Sequence, residues 1–367
     1  MKILFVNEYD LSRPVSGAEY SQMALVEGLR AVGQAVEIFS PGWKKNQPGR
    51  ELSPLWFNNL FYYLYSAWQI SRQKFDLIHV HGKYILPGAV MAGWLMSKPV
   101  VVTVRDFKFL CPLALCFINR KQCSWRYFIN QEIKEYQSRY GYQPKIILAL
   151  AKLWQYQLKW WLNRCRQVIA VSPQLAEIYR NNGVKKVISI YNLPPHEQKK
   201  SQGKTILSVG KLSYGKGTDK IIEAAKLLPQ YQFVFAGGLN PSFKAEFPKN
   251  CRYFGQVSHS QALKLYTQAG VFVINSRWPE PLSRAGLEAL SFGLPIVASN
   301  RGGNRELISN NGVLVDPDDP KAMAIAINKV FRQSRTLGKN SQKLLAERFS
   351  RGRILSRHLN LYQDLIK

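Results

Sequence analysis

An apolar run, Val271-Phe272-Val273-Ile274, is followed closely by two prolines and then by helix-forming sequence, Leu282-Ser283-Arg284-Ala285-Gly286-Leu287-Glu288-Ala289-Leu290. The run reads as a parallel strand buried on both faces. Pro279 and Pro281 break the chain, and a helix is predicted to open near Leu282. A helix N-terminus just beyond a strand end belongs to an open α/β sheet. Ligands bind there, and free amide N–H groups at the helix start favour a phosphate. Two glutamates flank the junction, Glu280 in the loop and Glu288 on the helix. Together they suit the two ends of a nucleotide ligand; alone they are also compatible with two unrelated surface glutamates.

The rest of the chain repeats the alternation. Lys2 to Asn7 and Ala35 to Ser40 read as strands around a helix whose apolar positions Leu25, Val26, Leu29 and Val32 keep helical spacing. Phe75 to Gly82 and Pro99 to Asp106 are further strands with their exits. Gln167 to Ser172 is another, and Ser172-Pro173 opens a helix as N-cap and first residue. His79 and His81 share one strand face and have no evident third ligand, so they are read as cleft or core residues. With 367 residues, two domains are expected. Residues 1–192 form the first, 193–203 a polar, proline-bearing linker, and 204–345 the second.

Five cysteines, an odd number, fit reduced thiols better than a disulfide framework. Cys111, Cys116 and Cys123 are too loosely spaced for a zinc motif and are read as packing residues. Met1 to Val6 reads as a strand, not a signal peptide, and no long uninterrupted apolar window occurs. The expected location is cytoplasmic, with the inner face of the membrane as a peripheral alternative.

Lys and Arg number 51 against 23 Asp and Glu, a formal charge of +28. Such an excess attracts polyanions: nucleic acid, an anionic membrane face or phosphorylated substrates. It is also compatible with a general surface bias, the less favoured reading. Two segments bear on the choice. Residues 55–72 are dense in aromatics, and core packing is favoured over a bilayer interface. Lys145 to Arg166 predicts a helix with Lys152, Gln155, Lys159 and Asn163 on one side, a large apolar face and no acid. Such a helix lies in an anionic interface or packs on its own sheet.

Two further stretches accompany the glutamate pair: Ile206-Leu207-Ser208-Val209-Gly210-Lys211-Leu212-Ser213-Tyr214-Gly215-Lys216-Gly217 and the segment from Gly293 to Glu306 with its Gly302-Gly303. In this order the three resemble the C-terminal domain of GT-B glycosyltransferases, specifically the retaining family 4, whose mark is a glutamate pair spaced as Glu280 and Glu288 are. The resemblance runs over nearly the whole chain. It implies an α/β fold of two Rossmann-like domains facing across a cleft, with residues 346–367 as a helix returning to the first domain. It implies a hexosyltransferase-type enzyme that moves a sugar from a nucleotide diphosphate sugar, UDP or GDP type, to a hydroxyl of a glycan or lipid-linked acceptor.

The resemblance also assigns roles. Lys211 and Lys216 face the donor diphosphate, Lys211 where relatives usually carry arginine. Gly210, Leu282, Ser283 and Arg284 border the same group. Glu280 fixes the donor sugar or phosphate and Glu288 binds ribose. Gln256 and Val257 lie in the loop that meets the base. Gly17 stands in a Gly-Gly-Ala-Glu-like segment in which Ser16 replaces the first glycine. Arg105 stands where relatives commonly carry histidine; it remains protonated and is no base. Two lysines can offset a diphosphate without a metal, so no cofactor is expected. Asp316-Pro317-Asp318 reads as a turn and helix cap. No nucleophile stands out, which favours attack from the leaving-group side.

The expected partners are the sugar donor, the acceptor and an anionic membrane surface, with no nucleic acid. A sugar-nucleotide epimerase or a phosphorylase of the same fold is the alternative. A basic nucleic-acid-binding protein would account for the charge but not for the glutamates, and RNA-recognition submotifs are absent.

Overall fold

The computed structural model describes residues 1–8, 11, 16–40, 56–110, 145–195, 198, 201, 203–241, 243, 244 and 246–367. The three cysteines between residues 111 and 123 lie outside them. The chain divides into two compact units, Met1–Tyr191 with Ile354–Lys367, and Asn192–Arg353.

In the first unit the elements run β1 (Lys2–Asn7), α1 (Gly17–Ala31), β2 (Ala35–Phe39), α2 (Trp56–Ser71), β3 (Leu77–His81), α3 (Leu86–Leu95), β4 (Val100–Val104), α4 (Lys145–Leu162), β5 (Gln167–Ala170), α5 (Pro173–Asn181) and β6 (Val187–Ser189). The strands form one parallel sheet in the order β2-β1-β3-β4-β5-β6. Ile3 to Val6 and Val101 to Val102 are fully buried, as strands covered by helices on both faces must be. From β1 the chain passes to β2 on one side and then crosses to β3 on the other. The topological switch point therefore lies between β1 and β3.

The second unit contains β7 (Thr205–Val209), α6 (Thr218–Lys226), β8 (Phe233–Ala236), β9 (Cys251–Tyr253), α7 (His259–Gln268), β10 (Ala269–Ile274), α8 (Arg284–Ser291), β11 (Ile296–Ser299), β12 (Gly312–Val315), α9 (Pro320–Arg332) and α10 (Ser334–Arg348). Its sheet is also parallel, ordered β12-β11-β10-β7-β8-β9. Here the switch point falls between β7 and β10. One core joins Ile206, Phe233, Phe235, Val271, Val273 and Val297 on the strands to Ile221 and Ile327 on the helices. A last helix, α11 (Arg351–Ile366), falls mostly within the first unit, where the Tyr362 hydroxyl meets His79 Nδ1 at 2.7 Å.

Three local features sharpen the sequence reading. The helix expected near Leu282 starts at Arg284, because the Ser283 side chain caps it by accepting from Gly286 N at 3.2 Å. The segment that carries Gly302-Gly303 forms a 3-10 helix, Gly302–Leu307. The cap of α9 is Asp319, whose side chain accepts from Ala322 N at 2.9 Å; Asp316 accepts from Asp318 N and makes the turn before it.

Candidate active site

The loops that leave β7 and β10 are neighbours because their strands are neighbours. Gly217, the N-cap of α6, has φ 62°, and a Cβ there would stand 2.2 Å from Asn275 O. Gly215 lies against the Trp278 ring, where a Cβ would come within 1.8 Å. Only glycine allows both the left-handed turn and this approach. Arg277 binds the two loops further. The Arg277 guanidinium pairs with both Asp219 oxygens at 2.8 Å and with Asp318 Oδ1 at 2.5 Å, and the Arg277 backbone N–H donates to Gly215 O. Asn275 Nδ2 donates to Gly217 O and Pro317 O.

This frame sets Lys216 on Glu280. The ammonium donates to Glu280 Oε1 at 2.7 Å and Oε2 at 2.5 Å, and Ser276 Oγ donates to Oε2 at 2.6 Å. Lys216 Nζ also sits 5.4 Å from the Trp278 ring centroid. Burial pushes the Glu280 carboxyl upward; the Lys216 charge and the hydrogen bonds from Lys216, Ser276 and Trp278 outweigh it and hold it below the usual carboxylate range. Gly302 and Gly303 clamp the backbone beside it. Gly303 N donates to Glu280 O at 2.5 Å, and a Cβ on Gly303 would stand 1.9 Å from Pro281 O.

Eight residues on, Glu288 is buried on α8. Its Oε1 meets His259 Nε2 at 2.9 Å and Arg284 Nε at 3.2 Å. Burial again pushes up; the His259 hydrogen bond and the Arg284 charge prevail and lower it. Both carboxyls are therefore anions at neutral pH. They accept hydrogen bonds and give no proton.

A third group of loops closes the other side. Gly237 N donates to Gly255 O at 2.8 Å, Tyr253 Oη donates to Gly237 O at 3.0 Å, and a Cβ on Gly237 would stand 2.0 Å from Gly210 O. A Cβ on Gly238 would stand 3.0 Å from Gln256 Oε1. The structure thus gathers Gly210 and Gln256 at the ends of β7, β8 and β9. Val257 follows in the same loop, and Lys211 is exposed just after β7.

In the first unit, Ser16 caps α1 by accepting from Glu19 N, and Gly17 is the first helical residue. The serine that stands in place of a glycine thus ends the loop as an N-cap. Arg105 leaves β4 and places Nη1 2.6 Å from His81 Nδ1. Burial above all, then the charges of neighbouring groups including Arg105, hold His81 well below the usual histidine range, so a neutral ring accepts from the guanidinium. His79 uses both ring nitrogens, on Thr103 Oγ1 and Tyr362 Oη, each at 2.7 Å. Among the described residues, no group of three or more His, Cys, Asp or Glu is disposed to hold a metal ion.

The sequence did not point to Ser276, Arg277, Asp219 or His259 as members of this site. Arg277 and Asp219 are 58 positions apart, His259 and Glu288 29 apart, and no periodicity reports such pairs.

Two parallel α/β units of six strands each, with charged loops at the switch point of the second, define the GT-B class of protein. Sucrose-phosphate synthase from Thermosynechococcus elongatus superposes with a TM-score of 0.72 at 21% identity, covering 99% of this chain and 98% of its own. Anabaena Alr3699/HepE, solved in complex with UDP, covers 99% and 100% with a TM-score of 0.68 at 20% identity. The family described as Glycosyl transferases group 1 matches residues 191–345, and Glycosyltransferase Family 4 matches residues 15–193. The chain belongs to these glycosyltransferases, family 4.

Spore coat protein SA of Bacillus subtilis is 34% identical over 183 residues, 44% of this chain and 48% of that protein. The chain spans about half the length of the first curated relatives it matches. A longer alignment joins it to 2-deoxystreptamine N-acetyl-D-glucosaminyltransferase of Niallia circulans, 21% identical over 314 residues, 80% of this chain and 77% of that one.

Proposed function

We propose that this protein transfers a sugar from a nucleotide diphosphate sugar, of UDP or GDP type, to a hydroxyl of a glycan or lipid-linked acceptor, with retained anomeric configuration. One observation carries the reading: Lys216 and Glu280 are paired at 2.5 Å between the two loops of the switch point, beside the N-terminus of α8. Support comes from Alr3699/HepE, which shares the fold and is solved with UDP-glucose.

The pair works by preorganisation. Glu280 holds the Lys216 ammonium aimed, at no reorganisation cost when the bond to the leaving group breaks. Charge then develops on the diphosphate. Lys216, exposed Lys211 and the N–H groups at the start of α8 stabilise it. These cations supply the neutralising charge, and no metal enters this reading. Glu288, an anion held by His259 and Arg284, accepts from the ribose hydroxyls. Gln256 and Val257 border the base. Because neither glutamate is placed as a free nucleophile, the acceptor attacks from the face the diphosphate leaves. Gly17 and Arg105 enter this reading through the family resemblance alone. The reaction is placed in the cytoplasm, at the inner membrane face where the acceptor is lipid-linked.

A thermal-shift screen against UDP, GDP, ADP and their common sugars, without metal, tests the donor site. A ligand present at a hundredfold its Kd stabilises by about 2.7 kcal/mol. The expected outcome is a rise with one nucleotide that Lys216→Ala abolishes. A folded sample that responds to none of them overturns the reading.

A further inference from the structure

The three helices α2, α3 and α4 connect β2 to β3, β3 to β4 and β4 to β5, each crossing the sheet in the same direction. Right-handed crossovers therefore lay all three on one face of the sheet. They touch one another: Trp154 Nε1 on α4 donates to Tyr63 Oη on α2 at 2.9 Å, and Trp94 on α3 lies 6.2 Å from Trp160 on α4. Their inner sides are core, with Tyr62, Tyr63, Ala67 and Ile70 of α2 and Leu158 and Leu162 of α4 buried.

Their outer sides are apolar as well. On α2, Phe61 is 68% exposed and Trp68 51%. At the end of α3, Leu95 is 73% exposed, and on α4 Leu153 is 59%. More than half of the large apolar side chains left exposed among the described residues belong to these three helices and the cap after α3. Exposed apolar side chains concentrated on three touching helices mark an interaction surface.

The charge around it selects the partner. No Asp or Glu occurs on α2, between Asp76 and Asp106, or from Lys145 to Ala176. Cations lie on the aromatic rings instead: Arg72 over Trp68 at 4.8 Å, Arg164 over Trp160 at 4.3 Å and Lys159 over Tyr156 at 5.5 Å. A surface of Trp, Tyr and Phe interleaved with Arg and Lys, without one carboxylate, matches the boundary between lipid headgroups and acyl chains. A protein partner with a matching apolar face would gain nothing from a patch of one sign; an anionic bilayer does.

We propose that the outer face of α2, α3 and α4 docks this protein on an anionic lipid bilayer, with the aromatic side chains in the interface and the cations at the headgroups. The inference goes beyond the donor reading and does not depend on it, because docking is read without any sugar nucleotide.

The test is cosedimentation of the full chain with vesicles of phosphatidylcholine alone and of phosphatidylcholine with phosphatidylglycerol, at two salt concentrations. Binding to the anionic vesicles, weakened by salt, is expected. Combining Phe61→Ser, Leu95→Ser and Leu153→Ser lowers the partition coefficient about tenfold or more. Arg164→Glu lowers it about fivefold or more. Ile325→Ser, at a 71% exposed position on α9 in the second unit, leaves it unchanged. The melting temperature and circular dichroism spectrum of each variant establish that it is folded. Equal binding to both vesicle types, or a folded triple variant that binds like the parent, overturns the proposal. So does light scattering that shows a dimer which the triple variant dissolves, because a second copy then covers the face.

Discussion

The two units carry the same kind of corner and fill it with opposite chemistry. At the switch point of the second, Lys216, Glu280, Arg277, Asp219, Arg284 and Glu288 are all ionic and answer one another. At that of the first, β1 ends in Asn7 beside His81 of β3, both buried and uncharged. Asn7 Nδ2 and Oδ1 and His81 Nε2 are buried without a hydrogen-bond partner among the described residues. Behind them, His79, His81 and His358 pack ring against ring, all held below the usual histidine range by burial first. One corner is built of paired ions; in the other, burial holds the histidine rings neutral, although Arg105 donates to His81 and Glu8, its carboxyl pushed up by burial, accepts from Tyr84 N next to them. Paired ions suit a charged ligand such as a diphosphate. The comparison also predicts that the two corners fail differently.

The largest effect comes from removing a charge from the ionic corner. Lys216→Ala leaves Glu280 buried without its cation and takes one donor from the leaving group. Turnover falls about a thousandfold, the upper range for such a donor. If Glu280 acts by aiming Lys216, adding Glu280→Gln costs little more. A double-mutant cycle on kcat/KM measures this. Independent, additive losses would separate the two residues and break the account of the corner as one preorganised pair.

Acid comes next and strikes the neutral corner first. An unfolded histidine titrates near 6.5, whereas His358 is pushed down to about 4, chiefly by burial. Above pH 7 neither state binds the proton and nothing changes. Between 6.5 and 4 the unfolded chain binds protons that the fold refuses, so stability falls by about 3 kcal/mol from this residue alone. His79 and His81 act in the same direction, and buried Glu8, whose carboxyl is pushed up, offsets part of the loss because the fold takes its proton before the unfolded chain does. Glu280 and Glu288 behave differently: their contribution is present above about 4.5 and is lost only as pH falls through their lowered values. Calorimetry from pH 7 to 4.5 should show the first unit's transition moving down while the second stays. Parallel movement of both would contradict the contrast.

The two corners also differ in how much of them the sequence reveals. The strand, prolines and glutamates of the ionic corner occupy one short stretch, and Lys211 and Lys216 fall in another with glycines at fixed places. Local order and the resemblance make them legible. What holds them does not show, because Arg277 finds Asp219 across 58 residues. The neutral corner is less legible still. His79 reaches Tyr362 across 283 positions, and a histidine in sequence gives no sign of its protonation. Helix α2 illustrates the same limit. Its aromatics favour a core, yet the fold buries Tyr62 and Tyr63 and exposes Phe61 and Trp68. Composition reports how much apolar surface exists; only the neighbouring helices decide which side of it is covered.

A smaller effect sharpens the ionic corner through its backbone. Gly303→Ala places a methyl 1.9 Å from Pro281 O, and the atoms it meets are all main chain of Glu280 and Pro281, which leaves little room to shift. The segment carrying Glu280 moves. A loss of about 2 kcal/mol is expected, seen as a fall of about 5 °C in Tm, together with weaker nucleotide binding. Gly352→Ala, where a Cβ meets nothing within 4 Å, serves as the matched control.

The smallest effect separates the two glutamates. Glu288→Gln keeps the shape of a side chain that His259 and Arg284 already hold, so the fold changes little. If Glu288 accepts from the ribose, its loss weakens UDP or GDP binding about tenfold, a typical value for one charge-assisted hydrogen bond. Turnover at saturating donor stays close to the parent's, unlike Lys216→Ala. The matching 2′-deoxynucleotide makes the test specific. Calorimetric titration should show the deoxy ligand binding the parent more weakly, yet binding Glu288→Gln as well as the ribose form does, because the same hydrogen bond is missing either way. If the variant still prefers the ribose form as the parent does, Glu288 serves only to order His259 and Arg284. The ionic corner would then meet its ligand with no glutamate at all, since Glu280 serves to aim Lys216.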